Sequence, residues 1–130
     1  MRKRKTNVKV IKEGVGYSAT STIESKFIAT EAATFEKLKA NVLDALNFTF
    51  EEFNVKYSED DLRFNFDLES FFDFYKVINA KALSERIGMN QSLLAQYIKG
   101  IKKPSPAQTK RILEGVQQIG RELTEVSFLL

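Results

Sequence analysis

Residues 79–104 read NAKALSERIGMNQSLLAQYIKGIKKP, and this stretch decides how the second half of the chain is built. Asn79 is a natural helix cap, and Leu83 and Ile87 fall on one face of the helix it starts. Gly88 ends that helix and Asn90 caps the next, leaving a very short turn. Met89 is the apolar residue that pins the turn to a core, and Ser84 is small where two helices must approach closely. On a wheel of roughly 100° per residue, the second helix, Gln91 to Lys99, turns Leu93, Leu94 and Tyr97 inward. Gln91, Ser92, Ala95, Gln96 and Lys99 face outward, with no acid among them. An ordinary solvated helix face would mix in glutamate or aspartate. Amides that can bond adenine edges, small residues that admit close approach and lysines that meet phosphate instead suit a major groove.

Working outward, Gly100 to Pro104 form a basic loop carrying Lys102 and Lys103, placed to run along a phosphate backbone. Ser105, Pro106 and Gln108 read as a capping box with proline at the first helical position. The helix they open carries Ile112, Val116, Ile119, Leu123 and Val126 as one stripe and is expected to run to the end of the chain. Gly115 and Gly120 imply a kink or a packing contact. Between residues 79 and 111, Lys81, Arg86, Lys99, Lys102, Lys103, Lys110 and Arg111 face one acid, Glu85. That segment carries +6 in a chain whose total is +3, so the remainder carries −3. Such asymmetry points to a polyanionic partner for one domain only.

The first third reads as strands. Val8 to Lys12 and Tyr17 to Thr22 alternate on either side of the turn residues Glu13 to Gly16, and Phe27 to Thr30 is a third short strand. The Gly14-Val15-Gly16 run is not a phosphate loop, because no helix follows it. Thr34 caps a helix whose apolar positions Phe35, Leu38, Val42, Ala45 and Leu46 keep a 3.6 period. After a polar, acidic stretch through Ser58 to Asp61, Leu62, Phe64 and Phe66 alternate with Arg63, Asn65 and Asp67 as a fourth strand. Asp67 or Ser70 then starts a short helix carrying Phe71, Phe74, Tyr75 and Ile78. The aromatic run from Phe71 to Tyr75 is read as core and domain interface rather than a base-stacking platform. The fold class is therefore α+β. A small sheet with one helix occupies residues 1–67, and an all-α helix-turn-helix domain occupies residues 68–130.

Composition narrows the function. With 130 residues, 43% hydrophobic and 28% charged, the chain has a globular profile and no apolar run long enough to span a membrane. The basic start, Met1 to Lys5, is not followed by a signal-peptide segment, so a cytoplasmic location is expected. The absence of cysteine and histidine removes disulfides, thiolate sites, the usual imidazole base and the commonest metal ligand. No catalytic residue, metal or cofactor is expected.

The segment from Leu83 to Ser92, continuing through Gly100 to Ser105, resembles the helix-turn-helix of the phage-repressor and Cro (XRE) family. The resemblance implies base contacts at Gln91 and Ser92 and phosphate contacts near Lys99, Lys102 and Lys103. With Asn90 and Gln96 these are the candidate DNA-binding residues. Ala80 departs from the pattern, standing where several members carry a glutamine. The order of strands and helix before this domain resembles HicB-type antitoxins. That resemblance implies a reduced RNase H-like N-terminal domain that masks a small HicA-like toxic ribonuclease, while the C-terminal domain represses the operon. The expected partners are a double-stranded DNA operator, the toxin and a second copy of the chain, as a homodimer or higher homo-oligomer. A stand-alone transcriptional regulator with an N-terminal sensor or protein-binding domain is the alternative. A third reading, an RNase H-like nuclease, needs clustered carboxylates on strands. Val8 to Lys12 supplies none, and Glu51, Glu52 and Glu59 to Asp61 read as solvated loop.

Overall fold

A computed structural model describes residues 5–130, so the basic residues from Met1 to Arg4 lie outside the described part. The chain is α+β, with four strands among the described residues, β1 (Thr6–Lys12), β2 (Tyr17–Ile23), β3 (Lys26–Ala32) and β4 (Leu62–Phe66). The five α-helices of the described residues are α1 (Phe35–Thr49), α2 (Leu68–Phe74), α3 (Ala80–Ile87), α4 (Gln91–Ile98) and α5 (Pro106–Thr124). It divides into two compact units between Phe71 and Phe72, four residues beyond Asp67.

In the first unit the sheet order is β3-β2-β1-β4, antiparallel except for the parallel β1–β4 pair. Three strands meander, and α1 then carries the chain back so that β4 lies beside β1. The register places Val8 beside Phe64 and Val10 beside both Phe66 and Ala19. Val8, Val10, Ala19, Ile28 and Leu62 are buried, while the alternate positions Asn7, Lys9, Phe27, Arg63 and Asn65 are exposed. One face of the sheet therefore builds the core and the other is solvated, as the period-2 alternation dictates. Thr34 Oγ1 accepts from Lys37 N–H at 3.1 Å and caps α1, whose buried Phe35, Leu38, Val42 and Leu46 follow the 3.6 period. The Phe35 ring stands edge-on to Phe64 and Phe66 at 5.1 and 5.5 Å, tying the start of α1 to β4.

Several expectations are corrected. The acidic stretch after α1 is not simply solvated loop, because Phe50 and Tyr57 within it are buried with ring centroids 5.9 Å apart. Asn47 holds this segment by bonding both backbone groups of Tyr57. Asp67 does cap α2, accepting from Ser70 N–H at 2.8 Å. The helix nevertheless stops at Phe74, and Tyr75 and Ile78 lie in the turn that follows. Val77 and Ile78 are β-branched, and Asn79 must be extended to cap α3, so the helix cannot continue.

The second unit is all-α. Ser105 Oγ accepts from Gln108 N–H, but the reciprocal half of a capping box is missing: Gln108 Oε1 accepts from Arg111 instead. Gly115 is a packing contact rather than a kink. A Cβ there would collide with the Ile87 Cγ2 methyl and press on Leu83, so α5 rests directly on α3, whereas Gly120 faces open space. The apolar stripe of α5 is buried at Ile112, half-buried at Val116 and Ile119, and exposed at Leu123; the helix ends at Thr124, short of Val126. Length explains this. Eight-residue α3 spans about 12 Å, and nineteen-residue α5 about 28 Å, so α3 covers only part of it.

Two stability tests follow from backbone and packing. The β2–β3 hairpin turns through Glu24 and Ser25, both left-handed at φ 51° and 68°, the conformation that asparagine and glycine adopt most readily. The double change Glu24→Asn, Ser25→Gly is expected to raise unfolding free energy by about 1–2 kcal/mol in urea titrations. Gly120→Ala should stabilise by about 0.5–1 kcal/mol through lost chain entropy, whereas Gly115→Ala should destabilise by about 1–3 kcal/mol. Equal shifts for the two glycine variants would show that α5 does not pack on Ile87.

Candidate nucleic-acid interface

Helices α3 and α4 are punctuated in the same way. Asn79 Oδ1 accepts from Ala82 N–H at 2.9 Å, and Asn90 Oδ1 accepts from Leu93 N–H at 3.1 Å, so each asparagine satisfies an otherwise unpaired first-turn donor. At the far ends Gly88 and Gly100 take left-handed φ of 67° and 75°. Each lets the residue after it reach back five positions. Met89 N–H donates to Ser84 O and Ile101 N–H to Gln96 O, both at 2.9 Å, with the glycine N–H groups donating to Glu85 O and Tyr97 O. This is the Schellman closure, and a left-handed residue is what allows it. Only Gly88, Met89 and Asn90 separate the two helices.

The turn is anchored from inside by buried Met89, and the unit's other buried side chains include Leu83, Leu94, Tyr97 and Ile112. Ser84, also buried, donates its hydroxyl to the Lys81 carbonyl at 2.6 Å, so its polar group carries no penalty. Arg111 Nη2 donates to the carbonyls of Ile87 and Gly88 at 2.8 and 3.2 Å, a cation set on the negative end of α3.

The structure places Asn90, Gln91 and Ser92 together, exposed, at the cap and first turn of α4. Asn90 is partly committed, since its carbonyl oxygen caps the helix. Lys99 is exposed one residue past the end of α4, and Lys102 and Lys103 are exposed in the loop beyond. Gln96 is half-buried rather than fully outward. From Arg86 to Leu113 the sequence holds no carboxylate. Three of the seven cations counted from sequence are occupied elsewhere. Arg86 Nη1 bonds Glu122 Oε2 at 2.6 Å, Lys110 lies 3.9 Å from Glu114, and Arg111 caps α3. Lys81, Lys99, Lys102 and Lys103 have no carboxylate partner among the described residues. The Arg86–Glu122 pair spans 36 residues and leaves no local signal in the sequence. Arg111 three residues after Gln108 was the readable trace of the other arrangement.

Among the described residues, no three Asp, Glu, His or Cys side chains gather as a metal set would. No helix among them is long and apolar enough to cross a membrane. Comparison with protein-family models, curated proteins and solved structures gave no match.

Hydrogen bonding from Arg86 holds the Glu122 carboxyl below the usual glutamate value, with Gln118 adding to the effect. A carboxyl depressed in the folded state stabilises above its unfolded pKa, about 4.3, and loses that contribution as pH falls through its lower folded value. Wild type and Glu122→Gln should therefore differ by a small, constant amount above about pH 5, and the gap should close as pH falls through the lowered folded value, with added salt shrinking it. A gap that persisted at low pH would assign the difference to something other than this pair.

Proposed function

We propose that the C-terminal unit is a helix-turn-helix DNA-binding domain in which α4 enters the major groove and the Gly100–Lys103 loop follows the phosphate backbone. The observation that carries this reading is the exposed cap and first turn of α4, Asn90-Gln91-Ser92, continued by Lys99, Lys102 and Lys103, which pair with no carboxylate among the described residues, in a segment free of carboxylates. The caps and Schellman closures fix α4 on α3, so the reading side chains sit on a rigid support, as specific recognition requires. One such domain reads a half-site. A homodimer is the simplest solution, with the exposed apolar residues Leu123, Val126 and Phe128 to Leu130 as its contact and inverted half-sites about 34 Å apart or a multiple of that.

For the N-terminal unit the reading is a reduced RNase H-like, HicB-type domain that masks a small ribonuclease, making the whole protein an autoregulating antitoxin. The β3-β2-β1-β4 order with parallel β1–β4 and the α1 crossover supports it. So does the placement of acids in loops and 3₁₀ turns rather than on the sheet's buried face.

Selection from a random duplex library supplies the operator. Gln91→Ala should then lose about 1–3 kcal/mol on that operator and little on unrelated DNA. Replacing Lys99, Lys102 or Lys103 should weaken binding to both and flatten the salt slope by roughly one unit per lysine replaced. Equal losses on both DNAs for Gln91→Ala, with salt slopes unchanged for all three lysines, would remove α4 from the interface. Co-expression with the product of the adjacent gene tests the antitoxin reading. If no ribonuclease is bound while the operator still is, the protein is a stand-alone regulator.

A further inference from the structure

We propose that the cleft at the C-terminal end of α1 is a docking site for arginine side chains of a basic partner protein. This rests on the reading of the N-terminal unit as a ribonuclease mask and names the partner's chemistry. The cleft, of about 430 Å³, is lined by Asn47, Phe48, Glu51, Asn54, Val55 and Lys56. Phe48, on the last turn of α1, is 79% exposed. A large ring left this open is not serving the core, which takes buried Phe50 and Tyr57 from this segment, with Phe53 packed on Phe50 at 6.2 Å between centroids.

The wall is preformed. Asn47 Oδ1 accepts from Tyr57 N–H at 2.6 Å and its Nδ2 donates to Tyr57 O at 3.2 Å, stapling the loop to α1. Asn54 completes the turn in a left-handed conformation. Docking there carries little ordering cost.

Charge selects the occupant. Residues 44–61 hold six acids, Asp44, Glu51, Glu52, Glu59, Asp60 and Asp61, against Lys56 alone. Glu59 is taken by Lys39 at 3.0 Å and Asp61 caps Ser58. Asp44, Glu51 and Glu52 are exposed and pair with no cation among the described residues. Asp44 lies four residues before Phe48 on α1 and so neighbours it on the helix surface. An aromatic face beside unpaired carboxylates fits a guanidinium, which stacks flat on a ring and forks to a carboxylate; an ammonium does neither as well. A ribonuclease must present cations to RNA phosphates, so carboxylates that engage those cations compete directly with RNA.

The test uses the full chain, labelled with ¹⁵N and titrated with hexa-arginine at low salt. Shifts should concentrate between Asn47 and Lys56. Phe48→Ala, at a position too exposed to unfold the unit, should weaken binding about two- to five-fold, and hexa-lysine should bind less tightly than hexa-arginine. Shifts centred elsewhere, or an affinity indifferent to Phe48, overturn the proposal. A displacement of the Lys102 and Lys103 resonances on mutating Phe48 would also overturn it, by making the chain's own basic loop the occupant. In co-expression with the adjacent gene's product, Phe48→Lys with Glu51→Lys should abolish capture and leave operator binding intact. Undiminished capture by that variant refutes the docking site while the ribonuclease-mask reading survives. Failure of wild type to capture anything, with Phe48-dependent arginine binding intact, refutes the mask reading and leaves the arginine site standing.

Discussion

A single backbone hydrogen bond, from Met89 N–H to the Ser84 carbonyl, fixes the geometry on which the C-terminal unit depends. It closes only because Gly88 is left-handed. With it in place Met89 turns inward, Asn90 is delivered extended to cap α4, and the first turn of α4 is presented to solvent. Arg111 reinforces the same corner from α5 by taking the carbonyls that α3 leaves unpaired. Gly115 brings α5 close enough for that reach. The corner is thus closed from three sides, while Gln91 and Ser92 of α4 stay exposed.

That division of labour explains which parts were legible in the sequence. Caps, terminal glycines and periodic apolar positions are local, so β1 to β4, α1 and the α3–α4 pair could be read from residues a few positions apart. What escaped was non-local. Phe50 and Tyr57 look like members of an acidic loop, and only the fold of that loop onto Asn47 buries them. The helix expected through Ile78 fails because α3 needs its own extended cap at Asn79. The stripe on α5 promised burial to the end of the chain, but the length of α3 sets how much of it is covered. At the site, Asn90 to Ser92 were legible as exposed polar side chains at the start of a capped helix, and the three lysines as exposed cations at and beyond its end. The removal of Arg86 by Glu122 was not.

Charge is likewise divided between structural and available groups. In the C-terminal unit, arginines are used to build: Arg86 donates to the Glu122 carboxylate through Nη1, and Arg111 donates to the carbonyls of Ile87 and Gly88 through Nη2. Lysines at 81, 99, 102 and 103 are left to solvent. In the N-terminal unit, Lys39 joins Glu36 and Glu59 and lies 5.2 Å from the Phe35 ring centroid, while Asp44, Glu51 and Glu52 remain open. The groups left open thus include these lysines in the C-terminal unit and the carboxylates around the end of α1 in the N-terminal unit, in a chain whose total is +3.

The parallel pairing of β1 with β4 carries a kinetic consequence. Thr6 meets Leu62 and Val10 meets Phe66, each pairing closing a loop of 56 residues, whereas α3, α4 and the start of α5 meet across fewer than 40. Loop-closure entropy must be met before such a distant pairing is rewarded, so topology makes the N-terminal unit the slower folder. On the ribosome β1 must wait, with one side of its hydrogen-bonding edge open, until β4 has emerged. The meander β1-β2-β3 can form early, but it stays incomplete through the synthesis of α1 and the loop after it. The nascent chain is thus most prone to misassociate at the strand that becomes the centre of its sheet.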